Sequence, residues 1–235
     1  MPRVGVVIAA GGRGKRLGNR LPTQFLLLGG ISILQHTVEL FALLPSVGEI
    51  VIVSPKDHIA RVRRLLAGMG CKKILSIVPG GKERQDSVWN GINGFISKPD
   101  IVLVHDAVRP LVSRKTVNEV IASATSYGAA VVGVKVHDTI KVEGKRGFYS
   151  RTLDRNELWA VQTPQGFTLD LLMRAHRNAR RSGYLGTDDA SLVERLNVPV
   201  RIVSGDRRNI KITTPLDLQL AEMWLKRGGS PVHTR

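Results

Sequence analysis

Val4-Gly5-Val6-Val7-Ile8-Ala9-Ala10-Gly11-Gly12-Arg13-Gly14-Lys15-Arg16-Leu17-Gly18 decides how the rest of the chain is read. Val4 to Ala9 is apolar and mostly β-branched, the pattern of a strand buried on both faces of a parallel sheet. The run then breaks into glycines interleaved with cations. Glycine lets backbone N–H groups approach an anion closely and permits positive φ, and Arg13, Lys15, Arg16 and Arg20 put charge at the same spot. A strand ending in such a loop is either a triphosphate cradle or a turn that happens to be basic. Two familiar glycine loops are excluded. For Gly14-Lys15, Ala9 stands where a Walker A loop needs its first glycine, and Arg16 where it needs Ser or Thr. Leu17 stands where a dinucleotide fingerprint needs Gly or Ala.

Outward from this stretch, short apolar segments at residues 49–54, 73–78, 101–105, 129–134 and 200–204 read as further strands. Amphipathic helical patterns run between them at 33–44, 57–68, 84–95 and 116–126. This alternation implies an α/β chain: a mostly parallel, twisted sheet with helices on both faces. Right-handed crossovers place the strand C-termini on one rim, where ligands bind. Residues 136–155 break the alternation. Two short alternating segments flank a turn at 143–147 and form a hairpin. A lone hairpin is marginal in water, so it needs another surface, which a second subunit could supply. Residues 169–182, 188–196 and 215–225 read as helices, the last opening near Pro215. With no internal repeat and no dividing linker, residues 1–227 form one domain carrying the 136–155 arm, and 228–235 form a flexible tail.

A chain of 235 residues, 43% hydrophobic and 23% charged, can bury a full core. No apolar run approaches the ~20 residues that span a bilayer. The lone Cys71 cannot form an internal disulfide, and no secretory leader pattern is present, so the expected location is the cytoplasm. The net charge of +16 would attract polyanions, either nucleic acid or small phosphorylated substrates. With 5% aromatic residues and scattered cations, the chain lacks the basic stripe or stacking platform of a nucleic-acid reader, so no specific nucleic-acid binding is expected. Arg174, Arg177, Arg180 and Arg181 read as a solvated helix face.

The loops that follow the strands carry the candidate chemistry. Pro79-Gly80-Gly81-Lys82-Glu83-Arg84-Gln85-Asp86-Ser87 opens a helix, and Arg84 and Ser87 have donors to offer a nucleotide. The alternative is a helix N-terminus whose acidic residues complement the dipole. In His105-Asp106-Ala107-Val108-Arg109-Pro110, a carboxylate and a guanidinium suit a polyol hydroxyl and a phosphate, or form an ion pair that stiffens the turn. His105 reads as a packed strand-end histidine rather than a catalyst. Thr139, Thr163 and Lys211, taken singly, read as turn or surface residues. There is no Cys/His metal spacing and no Gly-x-Ser-x-Gly elbow.

Together these loops resemble the 2-C-methyl-D-erythritol 4-phosphate cytidylyltransferase family over roughly residues 4–225. The motifs occur in the family's order: the glycine loop with Leu21-Pro22-x-Gln24-Phe25, Gly80-Gly81-x-x-Arg84-x-Asp86-Ser87-Val88, His105-Asp106-Ala107-x-Arg109-Pro110, Asp138-Thr139-x-Lys141, Gln162-Thr163-Pro164-Gln165 and Asn209-Ile210-Lys211. The resemblance implies a Rossmann-like nucleotidyltransferase fold and a homodimer joined by the arm. It implies transfer of CMP from CTP to 2-C-methyl-D-erythritol 4-phosphate, releasing pyrophosphate, in isoprenoid precursor synthesis. It places Ala10, Gly11, Gly12, Gly14 and Arg16 on the CTP loop and Gly81, Arg84 and Ser87 on the cytidine side. Asp106, which also meets CTP, Arg109, Thr139, Arg155, Thr163 and Lys211 fall on the sugar-phosphate side, with Thr139 and Arg155 lent by the partner's arm. Arg16, residue 23, Arg155 and Lys211 carry the catalysis. Mg²⁺ or another divalent cation is implied mainly on triphosphate oxygens, with no protein ligand identified. A close relative, ribitol-5-phosphate cytidylyltransferase, has much the same motifs and is the alternative. The family's Pro-Lys-Gln is here Pro22-Thr23-Gln24. Losing such a donor costs ~3 kcal/mol of transition-state stabilisation, so a weakened variant that binds CTP without turnover is the reading from another class. Lys82 also stands where an acidic residue can occur in the family.

Overall fold

A computed structural model of the chain describes residues 2–12 and 21–226. Gly14, Lys15, Arg16 and Arg20, and the expected tail at 228–235, lie outside the described residues. Strand β1 (Val4–Ala9) sends Val4, Val6 and Ile8 to one face and Val7 to the other, all essentially buried. Burial on both faces is what a strand without polar alternation requires. It lies between β4 (Val47–Ser54) and β6 (Ile101–Asp106), parallel to both, with β5 (Ile74–Pro79) beyond β4. On the other side of β6 come β10 (Trp159–Thr168), β7 (Ala129–Lys135) and β11 (Arg201–Ser204). The described order is β11-β7-β10-β6-β1-β4-β5. Helices α1 (Ile33–Ala42), α2 (Ile59–Ala67) and α4 (Arg114–Tyr127) pack on the face of Val4, Val6 and Ile8. Helices α3 (Arg84–Ile92), α5 (Leu169–Ser182) and α6 (Asp189–Glu194) pack on the opposite face.

The expected α/β architecture is present, with the strands and helices within a few residues of their predicted limits. The strand β10 is an addition. It runs antiparallel to both β6 and β7, and its Gln162-Thr163-Pro164-Gln165-Gly166-Phe167 reads in sequence as a loop. Pro cannot donate to a ladder and Gly weakens one. Tertiary context removes both objections. Pro164 sits in the register shift between Gln162 and Gln165, where the Thr163–Pro164 peptide is cis. Gly166 lies under α4, where a Cβ would come 2.7 Å from Val120 Cγ1.

The arm is a two-stranded antiparallel hairpin, β8 (Lys141–Glu143) with β9 (Tyr149–Thr152). All of β9 is exposed, and Phe148 and Tyr149 are 74% and 65% exposed. A smaller hairpin, β2 (Leu27–Leu28) with β3 (Ile31–Ser32), packs with α7 (Pro215–Lys226) through Leu28, Ile33, Ile212 and Ala221. That cluster fixes the segment carrying Lys211, and the Ile212 N–H donates to the Val108 carbonyl at 2.9 Å. No described helix is long and apolar enough to cross a membrane.

The order of the strands points to where a ligand would sit. From β1 the chain builds outward to β4 and β5, then returns to lay β6 on β1's other side. The sheet's switch point therefore lies between the C-terminal ends of β1 and β6, where Ala9 is registered against Asp106.

Candidate active site

A cavity of about 450 Å³ opens at this switch point. Its floor is the end of β1, Ala9 to Gly12, beside Asp106 and Ala107 at the end of β6. Gly81, Arg84 and Ser87 form one wall; Thr23, Gln24 and Lys211 form the other. Backbone bonds hold the floor, Ala10 N–H to Val53 O at 2.8 Å and Ala107 N–H to Ala9 O at 3.1 Å. The Gln24 amide also donates to Ala10 O at 2.8 Å, tying the Thr23 wall to the floor.

The glycines differ in what they are for. A Cβ on Gly12 would meet nothing within 4 Å, so packing among the described residues does not demand glycine there. A Cβ on Gly81 would fall 2.2 Å from Asp86 Cβ, so Gly81 is needed to bring the loop onto the first turn of α3. Ser87 serves the same turn. Its hydroxyl accepts from Gly81 N–H and donates to Glu83 O, both at 3.1 Å.

Asp106 is the electrostatic centre. Lys211 Nζ stands 2.9 Å from Oδ2, Arg109 Nε 3.6 Å from Oδ2, and Arg84 Nε 3.9 Å from Oδ1. Burial opposes ionisation of this carboxyl, but Lys211, Arg84 and Arg109 overcome it and hold Asp106 at about 2. Burial pulls the Arg109 pKa down against the pull of Asp106. Arg84 is also pinned from behind, with Nη1 2.7 Å from Asp189 Oδ2, and its two carboxylates outweigh burial and raise its pKa.

Behind Asp106 lies a neutral network. The Asp106 N–H donates to Thr163 Oγ1 at 3.0 Å, and Thr163 Oγ1 is 3.2 Å from His105 Nδ1. His105 Nε2 is 3.0 Å from Arg109 O, which can only accept, so Nε2 carries the proton and Nδ1 accepts from the Thr163 hydroxyl. Burial pushes His105 down to about 4, so the ring is neutral at physiological pH. Asn209 Nδ2 donates to Thr163 O at 2.9 Å and to Gln162 Oε1 at 3.1 Å, while Arg109 Nη1 donates to Asn209 O at 2.7 Å. His105 is thus the packed strand-end histidine its sequence suggested.

The structure brings together Ala10, Gly11, Gly12, Thr23, Gly81, Arg84, Ser87, Asp106 and Lys211 around one cavity. Arg109 and Thr163 stand behind it, on Asp106. Thr139 and Arg155 do not join it. Both are exposed on the arm, where the Arg155 guanidinium donates to His137 O at 3.1 Å beside a shallow surface pocket. The expected CTP-loop residues Gly14 and Arg16 lie outside the described residues. Sequence reading missed Asp189, Gln24 and Asn209 as parts of the site. For Asp189 the signal was Thr187-Asp188-Asp189 in an otherwise basic chain. No group of three or more His, Cys, Asp or Glu that could hold a metal occurs among the described residues. A hard cation that takes most of its ligands from phosphate and water fits such a site, and Asp106, with Arg84 no nearer than 3.9 Å to Oδ1, offers one carboxylate oxygen.

Three comparisons bear on this geometry. The family described as "IspD: 2-C-methyl-D-erythritol 4-phosphate cytidylyltransferase" matches residues 4–227. A 2-C-methyl-D-erythritol 4-phosphate cytidylyltransferase of Pelotomaculum thermopropionicum is 45% identical over 227 residues, covering 96% of this chain and 95% of the relative. One from Symbiobacterium thermophilum is 48% identical, covering 95% and 93%. The crystal structure of the Thermus thermophilus protein of that name superposes with a TM-score of 0.75 at 36% identity, covering 95% of this chain and 99% of that one.

The cluster makes stability depend on pH in a defined direction. The fold holds Asp106 at about 2 against 3.8 for a free side chain. Its stabilisation is therefore complete above about pH 4 and is lost as the pH falls through about 2. The shift corresponds to about 2 kcal/mol. Urea titrations between about pH 5 and pH 2 should show a shallower loss of stability in Asp106→Asn than in the parent; parallel curves would contradict the assignment.

Proposed function

Because the chain belongs to the 2-C-methyl-D-erythritol 4-phosphate cytidylyltransferase family, we propose that the cavity between the ends of β1 and β6 is where CMP passes from CTP to 2-C-methyl-D-erythritol 4-phosphate. The activity itself is cytidylyl transfer in isoprenoid precursor synthesis, as in the family. The observation that carries the placement is the Asp106–Lys211–Arg109–Arg84 cluster beside a glycine floor. Among the charged residues that line the cavity, Lys82, Arg84 and Lys211 stand against Glu83 and Asp106, an excess of one positive charge. No feature of the site or of these relatives favours ribitol phosphate.

A phosphate oxygen of the polyol phosphate attacks the α-phosphorus of CTP, and the bond to the β-phosphate oxygen breaks to release pyrophosphate. The nucleophile is already ionised at neutral pH, so no general base is required. The work is alignment of two mutually repelling anions and neutralisation of charge at the α-phosphate. The N–H groups of Gly11 and Gly12 cradle the triphosphate, continued by Gly14 and Arg16, while Gly81 and the Ser87 turn bound the cytidine side. Lys211, oriented by Asp106, takes the attacking phosphate, Arg109 holds Asp106 from behind, and Asp106 accepts from a polyol hydroxyl. Thr23 offers one neutral hydrogen bond at the phosphate wall. A divalent cation, held mainly by triphosphate oxygens, would neutralise the leaving pyrophosphate.

The exposed hairpin supports a homodimer in which each arm carries Thr139 and Arg155 to the partner's cavity. Two low-activity parents, Arg155→Ala and Lys211→Ala, should then regain part of the activity when mixed, because one site per heterodimer is intact. A monomeric mass by light scattering, or no regain despite proven subunit exchange, would overturn the shared site.

Pyrophosphate release assayed with CTP, a divalent cation and 2-C-methyl-D-erythritol 4-phosphate tests the reaction. Thr23 lines the cavity and is held by the Gln24–Ala10 bond, so Thr23→Lys should raise kcat by ~10- to 1,000-fold, the effect of one restored donor. CTP affinity should change less. Equal turnover in parent and variant would remove residue 23 from transition-state stabilisation, and no release from either would overturn the placement of the transfer.

A further inference from the structure

Asp189 and His176 are each 0% exposed and have no part in the reaction as described above. Asp189 opens α6, and His176 lies on α5. Their side chains meet at 3.2 Å, His176 Nε2 to Asp189 Oδ1. The other carboxylate oxygen, Oδ2, takes Arg84 Nη1 at 2.7 Å. The backbone N–H groups of Asp189 and Ala190 both donate to Gln165 Oε1, at 3.1 and 3.2 Å. Gln165 belongs to β10 and is registered against Val104 of β6, two residues before Asp106. The anchor and the cavity floor are therefore parts of one rigid frame.

We propose that Asp189, braced by His176, is a positioning residue for the cytidylyl transfer: it holds the Arg84 guanidinium away from Asp106 and so keeps one oxygen of Asp106 available to the substrates. The inference rests on the reading that the cavity is the transfer site. Arg84 stands between two carboxylates, bonded to Asp189 at 2.7 Å but only 3.9 Å from Asp106 Oδ1. A guanidinium that close to a carboxylate closes into a bidentate pair unless something else holds it. Its side chain is a third exposed and lines the cavity beside Asp106. Lys211 already occupies Asp106 Oδ2 at 2.9 Å. If Arg84 took Oδ1 as well, both oxygens would be spent on protein cations, and no acceptor would face the polyol. The depressed pKa of Asp189, where Arg84 and then His176 overcome burial, fits an ionised anchor.

The test is a double-mutant cycle read in kcat/KM, with thermal midpoints recorded for every variant. Arg84→Ala removes the cation that would close on Oδ1 and should therefore lower kcat/KM less than Asp189→Asn does. Asp189→Asn, nearly isosteric but uncharged, should lower it by ~10- to 100-fold. In the Arg84→Ala background, Asp189→Asn should cost less than ~2-fold, because the side chain it restrains is gone. His176→Ala serves the same cycle if Asp189→Asn does not fold, and His176→Gln, which keeps a donor toward Asp189, should restore most of its loss. Losses that multiply in the double variant would show that Asp189 acts independently of Arg84 and would overturn the inference. Unchanged turnover in Asp189→Asn would overturn this inference alone, whereas unchanged turnover in Lys211→Ala would overturn the transfer-site reading on which it rests.

Discussion

The ion cluster on Asp106 is the constraint on which the site depends. A buried carboxylate is costly unless paired, and here Lys211, Arg109 and Arg84 come to it from three separate parts of the chain. Asp106 ends β6, Arg109 sits in the loop after it, Arg84 opens α3, and Lys211 lies ahead of α7. Two unit charges 4 Å apart attract by about 4 kcal/mol at an effective dielectric of 20, so these contacts fix where the three loops converge. They also set the cavity's character. Cations brought together without a carboxylate would repel one another; Asp106 and Asp189 among them let Lys211, Arg109 and Arg84 converge.

The frame behind the cluster is uncharged. His105, held neutral by burial, links Thr163 to the Arg109 carbonyl, and Asn209 ties Arg109 to β10. A protonated His105 would add a fourth positive charge beside Arg109 and Lys211 and would lose the acceptor that Thr163 uses. On this side of the site, charged groups face the cavity and the neutral side chains of His105, Thr163 and Asn209 hold them in place.

Much of this was legible in the sequence because it rests on local pattern. The apolar run of β1 ending in glycines, the strand–helix alternation and the Asp106–Arg109 spacing all report on neighbours in the chain. What stayed hidden is long-range. β10 reads as a loop because Pro164 and Gly166 violate strand preferences, and only the packing under α4 and the register shift accommodate them. Asp189 does not stand out as a site residue in the sequence because its partner, Arg84, is 105 residues away. Thr139 and Arg155 belong to the family's motif, yet within one chain they stand on the exposed arm, apart from the cavity wall. Thr23 is a departure visible in the sequence, whereas its position in the cavity wall is visible only in the fold.

The central claim is that nucleotide and polyol phosphate meet over the ends of β1 and β6. A crystal structure of the chain with CTP and a divalent cation tests it most directly. The account predicts the triphosphate against the N–H groups of Gly11 and Gly12, the cytidine beside Gly81 and Ser87, and the α-phosphate on the side of Asp106 and Lys211. A nucleotide bound elsewhere, such as in the surface pocket beside Arg155 with the β1–β6 cavity empty, would contradict it.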